Sequence, residues 1–174
     1  AVDYFWRTNK EGNILARQEL EEAIALDPKY PGLYSLLAII HLYDLWLQSS
    51  ESPLVSIAQA SKNIKKALAM NDEDYLAHIA LAALYQARKE PDNAIAAYES
   101  ASAVNPNGAL AYAHLGALLT ETGKPEEGIK LIEKAMRLNP SPPVRYFIYL
   151  GDTYYGLGLY EDAIEVQEEV LQSS

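Results

Sequence analysis

Residues 150–164 read Leu150-Gly151-Asp152-Thr153-Tyr154-Tyr155-Gly156-Leu157-Gly158-Leu159-Tyr160-Glu161-Asp162-Ala163-Ile164. A leucine and a small residue lead to a tyrosine, and after a glycine-containing break an alanine follows. The first half returns upstream as Leu37-Ala38 before His41, Leu81-Ala82 before Tyr85 and Leu115-Gly116 before Leu119. A second pattern runs in phase with it: a small residue, a large one, a small one and a proline. It occurs as Ala16, Leu20, Ala23, Pro28, and as Ala60, Ile64, Ala67 with Asp72 in place of proline. It continues as Ala94, Tyr98, Ala101, Pro106 and as Gly128, Ile132, Ala135, Pro140; the last copy, Ala163, Gln167, Val170, stops before a proline. The step is 34 residues from 60 to 94 and from 94 to 128, and 35 from 128 to 163. A fixed period of this size marks an array of supersecondary units.

The spacing has a physical cause. Small residues at Ala82, Gly116, Gly151, Ala94, Gly128 and Ala163 let two antiparallel helices approach closely, and large residues at i, i+3, i+4 and i+7 fill the space beside them. Gly116 and Gly151 are both expected to be such contact points, so that a leucine at either destabilises far more than a surface change. Pro91 and Pro125 suit a first helical turn; Ser52-Pro53 and Ser141-Pro142 read as N-caps followed by proline; Pro28, Pro106 and Pro140 end the preceding helices. The spacing predicts helix pairs at 31–48 with 53–70, 73–87 with 91–104, 108–122 with 125–138, and 143–157 with 160–172. A helix over Glu11 to Leu26 precedes them, its partner cut short at Val2 to Lys10, so the chain is expected to start inside a helix of a longer protein.

Leucine-small-x-x-tyrosine on one helix, then alanine, aromatic, alanine and proline on the next, resembles the tetratricopeptide repeat (TPR), in four copies covering nearly the whole chain. The resemblance implies an all-α fold, a right-handed superhelical solenoid of antiparallel helix pairs. It also implies one domain over 1–174: an incomplete first repeat (1–30), a stretched repeat (31–74), two regular ones (75–108, 109–143) and a terminal one (144–174). The stretch comes from about ten extra residues between Tyr43 and Ala60, including Asp44-Leu45-Trp46-Leu47-Gln48-Ser49-Ser50-Glu51-Ser52-Pro53. They are expected to lengthen the first helix and add a loop. Trp46 either packs on the lengthened second helix or contacts a partner. More narrowly, Tyr4-Phe5-Trp6-Arg7, the helix Ala16 to Leu26 and the Ser49–Pro53 loop resemble C-terminal TPR regions of bacterial signalling proteins such as class III adenylate or guanylate cyclases. No cyclase residues are present.

Composition narrows the function. The net charge of −10 disfavours nucleic acid, which demands clustered Lys and Arg, and anionic membrane surfaces. No apolar run approaches the ~20 residues of a membrane span, and the first residues lack the features of a signal peptide. The chain reads as a soluble domain, with the cytoplasm favoured over the periplasm. Without cysteine there is neither a disulfide framework nor a thiolate site. His41, His78 and His114 have no i, i+4 pairing and no carboxylates that complete a ligand set. The carboxylate runs open helices or lie on outer faces, and no P-loop, nucleophile elbow or dinucleotide fingerprint occurs. No enzyme, metal or cofactor is implied.

In the TPR family the first helices line a concave groove. Carried onto this sequence, the groove-facing residues are Ser35, Ile39, Leu42 and Tyr43; Leu76, Ile79, Ala83 and Gln86; Leu110, Ala113, Ala117 and Thr120; and Arg145, Ile148, Asp152 and Tyr155. The Lys/Asn/Arg carboxylate clamp of chaperone-binding TPRs is missing, so the lining suits an apolar or amphipathic peptide or helix of a protein partner. The alternative is an oligomerising, regulatory segment of a larger signalling protein. Gln167 replaces an apolar residue on the last helix, as befits a terminal unit. Ile164, Val166, Val170 and Leu171 nevertheless leave apolar surface there, and a homo-oligomer through the C-terminal helix, or residues beyond this chain, is expected to cover it.

Overall fold

A computed structural model describes residues 10–47 and 52–172, and among these every regular element is an α-helix. The helices are α1 (Lys10–Leu26), α2 (Pro31–Trp46), α3 (Pro53–Met70), α4 (Tyr75–Ala87), α5 (Pro91–Val104), α6 (Ala109–Glu121), α7 (Pro125–Leu138), α8 (Val144–Gly156) and α9 (Tyr160–Gln172). Residues 2–9, the expected partner of α1, lie outside the described residues. So do residues 4–7 and 49–51, on which the narrower cyclase-like resemblance partly rests.

Local chemistry sets the boundaries. Proline opens α2, α3 and α7, where its missing N–H has no helical partner to lose. Asp74 caps α4, its carboxylate accepting a 2.9 Å hydrogen bond from the Ala77 N–H. Ser52 occupies the N-cap of α3 as expected. Ser141 does not cap α8: Pro143 holds that position and the helix begins at Val144, because two successive prolines keep the residues before them extended. The insert adds a turn to α2 and to α3, which run 16 and 18 residues against 13 and 14 in the following pair.

Two kinds of turn repeat along the chain. Between α4 and α5, α6 and α7, and α8 and α9, one residue is left-handed: Lys89 (φ 60°), Gly123 (φ 86°) and Gly158 (φ 75°). In each, the next N–H reaches back five residues, Glu90 to Tyr85 O (2.9 Å), Lys124 to Leu119 O (2.8 Å) and Leu159 to Tyr154 O (2.9 Å). This is the Schellman closure of a helix end. Lys89 adopts it with a Cβ, at a steric cost the two glycines avoid. Lys89→Gly is therefore expected to stabilise the protein by about 0.5–1 kcal/mol in urea denaturation, the relieved strain being partly offset by a freer unfolded chain. A lower midpoint for the variant overturns this account of the turn.

The second turn follows α1, α3, α5 and α7. The side-chain oxygens of Asp27, Asn71, Asn105 and Asn139 accept from the N–H two residues on, at 3.1, 3.1, 3.2 and 3.2 Å. These Asx turns explain how Asp72 can stand where the other copies have proline. The reversal is held by the preceding Asx side chain, and proline only reinforces it.

Contacts divide the chain into two compact units, one ending at Ala97 and the other beginning at Tyr98. In the first, α2 packs on α3, and α4 contacts both. Ala38, Ile39, Leu42, Ala60, Ile64, Ala80 and Leu84 form one cluster, with Ala16, Leu20, Leu37 and Ile40 joining α1 to α2. In the second, α6 packs on α7 and α8 on α9, with Tyr112, Ala113, Ala135 and Tyr146 buried together. Helices α6 and α7 approach closely at Gly116 and Gly128. A Cβ on Gly116 would stand 2.7 Å from the Gly128 carbonyl oxygen and 2.7 Å from Ile132 Cγ1. Gly151 is not equivalent, since a Cβ there would be no closer than 3.8 Å to Gln167 Cγ. The expectation that Gly151 is a close contact point is corrected accordingly: α8 and α9 are farther apart at this position, where Ala163 stands in the place of Gly128.

Candidate functional site

The residues projected onto the groove separate sharply by exposure. Ser35, Ile39, Leu42, Ile79 and Ala113 are buried, so the expectation that they face a ligand is corrected. Ile39 and Leu42 belong to the α2–α3–α4 core cluster, Ala113 to the core of the second unit, and the Ser35 hydroxyl donates to Pro31 O. A helix clasped by neighbours on two sides has a narrow open stripe, and one position of phase error carries a residue from stripe to core.

In the first unit, Tyr43, Leu76, Ala83 and Gln86 are half-buried. The Tyr43 ring meets Trp46 edge-on, centroids 5.3 Å apart and planes at 72°, an arrangement favoured by the aromatic quadrupole. Trp46 is still 57% exposed. More than half of the indole is therefore not buried against the lengthened α3, and among the described residues its ring meets Tyr43, on its own helix.

In the second unit, Leu110, Ala117, Thr120 and Arg145 are half-buried, and Ile148, Asp152 and Tyr155 are exposed. The last three stand at i, i+4 and i+7 on α8, one stripe of a helix face. Ile148 is 50% and Tyr155 69% exposed, with the Tyr155 ring edge-on to Tyr160 at 5.4 Å. Thr120 serves the fold: its hydroxyl lies 2.9 Å from the Thr153 hydroxyl and 3.1 Å from Gly116 O, tying α6 to α8. Ile164 and Leu171 are exposed on α9.

Two polar clusters escaped the sequence reading. Asp44, placed by its position in the insert, is only 1% exposed. Its carboxylate accepts from Asn13 Nδ2 at 2.7 Å and from Arg17 Nη1 at 2.9 Å, joining α2 to α1. Asn13 Nδ2 also donates to Ile40 O. Burial pushes the neighbouring His41 imidazole below its ordinary value; the Asp44 carboxylate, 3.8 Å away, opposes the shift and Arg17 adds to it. The signal was present, because Asn13 and Arg17 share a helix face by i, i+4 spacing, but their partner lies 27 residues or more away in sequence.

His114 is the second case. Its ring lies parallel to Tyr98 (centroids 5.8 Å, 8°) and edge-on to Tyr149 (5.6 Å, 64°), with the Tyr149 hydroxyl 3.3 Å from Nδ1. Burial, and secondarily the Arg145 charge, push its pKa down to about 4. His78 differs, with Nε2 2.8 Å from Asp72 O on the surface. Among the described residues no three His, Asp or Glu side chains gather as a metal site would require, and no helix is long and apolar enough to cross a membrane.

A family model described as tetratricopeptide repeat matches residues 79–143 and 118–174, together more than half of the chain. Among solved structures, one titled "Functional Characterization of Pseudomonas Aeruginosa pilF" aligns with a TM-score of 0.71 at 19% identity, covering 99% of this chain and 72% of that one. A crystal structure of MamA aligns at 0.63 and 23% identity, covering 94% and 89%. MamA 41-end from Desulfovibrio magneticus RS-1 aligns at 0.63 and 21%, covering 92% and 85%. At these identities the likeness is one of fold. No curated protein matches the chain, and the narrower resemblance to cyclase tails gains no support from these matches.

Proposed function

The chain belongs to the tetratricopeptide-repeat family, whose members are protein-interaction scaffolds, and from that premise we propose that it is a non-catalytic module receiving an apolar or amphipathic peptide or helix. The observation that carries the reading is the open stripe of Ile148, Asp152 and Tyr155 on α8. Two large apolar side chains there remain available for desolvation, and the carboxylate between them offers one acceptor to fix a segment's register. Half-buried Leu110, Ala117 and Arg145 extend this lining in the second unit; Tyr43, Leu76, Ala83 and Gln86 are the corresponding candidates in the first.

Peptides selected from a display library on the intact chain provide the test. Ile148→Glu with Tyr155→Glu is expected to weaken the selected peptides about tenfold or more, because apolar anchors carry most of such interfaces. Affinity should change little between low and moderate salt. Peptides indifferent to the double substitution, or lost steeply with salt, place recognition elsewhere and overturn the reading. Homo-oligomerisation through α9, where Ile164 and Leu171 are exposed, is the competing use of the chain. A strictly monomeric mass in light scattering across concentrations removes it.

A further inference from the structure

A second surface, on α3 and the C-cap of α4, carries local charge opposite in sign to the net charge of the chain. Helix α3 reads PLVSIAQASKNIKKALAM, with three lysines and no carboxylate. Lys62, Lys65, Lys66 and Arg88 line one open depression together with Ala58 and Ser61. Four of the chain's 14 Lys and Arg residues thus converge in a protein of net charge −10. Among the described residues none of the four is ion-paired. The Lys66 ammonium stands 4.2 Å from the centroid of the Tyr34 ring, a cation–π contact. Like charges gathered in this way repel one another, and that repulsion is relieved when an anion binds.

The same helix face continues beyond the charges. Leu54, Ala58, Lys62 and Lys65 follow one another at helical spacing, and Leu54 is 78% exposed. The stripe therefore runs from apolar at the start of α3 to basic in its second half. We infer that this face of α3, with Arg88, is a docking surface for an acidic segment of another protein whose carboxylates meet the cations and whose apolar end covers Leu54 and Ala58. Charge complementarity selects the occupant. A nucleic acid or an anionic membrane presents negative charge over a wide area and meets the acidic remainder of the surface as well as the patch. A short acidic segment meets only the patch. The depression is open rather than enclosed, which suits a chain lying across it rather than a small anion needing enclosed, convergent donors.

The experiment uses the full chain and a fluorescent synthetic peptide rich in glutamate and leucine, read by anisotropy. Its glutamine-for-glutamate counterpart, heparin and phosphatidylserine vesicles serve as comparison arms. The glutamate peptide is expected to bind, to lose affinity steeply with salt, and to weaken about tenfold or more on Lys62→Glu with Lys65→Glu. The milder pair Lys62→Ala with Lys65→Ala, checked for unchanged melting, should weaken it less but in the same direction. Lys124→Glu with Lys130→Glu, on the other unit, should leave it unchanged. No binding, equal binding of the glutamine peptide, indifference to the α3 substitutions, or a preference for heparin or vesicles overturns the assignment.

Discussion

Gly116→Leu is expected to destabilise the protein by about 3 kcal/mol, while Gly151→Ala leaves its stability unchanged or raises it by up to about 1 kcal/mol. At Gly116 the first atom of any side chain meets the Gly128 carbonyl oxygen and Ile132 Cγ1, both at 2.7 Å. The carbonyl cannot yield without separating α6 from α7, so even Gly116→Ala should cost about 1–2 kcal/mol net of its gain in helix propensity. Gly128 faces the same contact, since its Cβ would stand 2.6 Å from Gly116 O. At Gly151 the nearest neighbour is the flexible Gln167 side chain at 3.8 Å, so a methyl fits and the helix gains propensity. Urea denaturation of the three variants measures both signs. A Gly116→Ala protein as stable as the parent means that the close α6–α7 contact does not exist.

Acid should weaken the second unit through His114. Its folded pKa is pushed down to about 4 from an ordinary 6.5, so the unfolded chain takes up this proton first. Stability is full above the unfolded value, falls as pH drops below 6.5, and stops falling from this source below about 4. Across that window the loss is on the order of 3 kcal/mol. His41, also lowered by burial, acts in the same direction. Because general titration of carboxylates is superimposed, the readout is a difference: His114→Gln should flatten the decline in melting temperature between pH 7 and pH 4.5 relative to the parent. If the two proteins decline in parallel, His114 is not held neutral between Tyr98 and Tyr149.

The positions projected onto a groove differ in their exposure. For Ile148, Asp152 and Tyr155 the projected face and the exposed face coincide among the described residues. For Ser35, Ile39 and Leu42 they do not, because α2 is covered by α1, α3 and α4. A periodic pattern gives the face of a helix but not the number of neighbours that close over it.

Helix positions, the pairing of α2 with α3, α6 with α7 and α8 with α9, and the array of repeats were determined by the sequence alone. Those features follow from local chemistry repeated at a fixed period: proline at helix starts, Asx and left-handed residues at the reversals, small residues where backbones cross. The tertiary structure alone decided that Gly116 is sterically required and Gly151 is not, that Asp44 closes a buried network with Asn13 and Arg17, and that His114 lies between two tyrosines. It also decided that Lys62, Lys65, Lys66 and Arg88 share one depression. Each of these depends on which residue of a distant helix arrives opposite, and on the interhelical distance at that point. Neither quantity is carried by the residue's own neighbours in the chain.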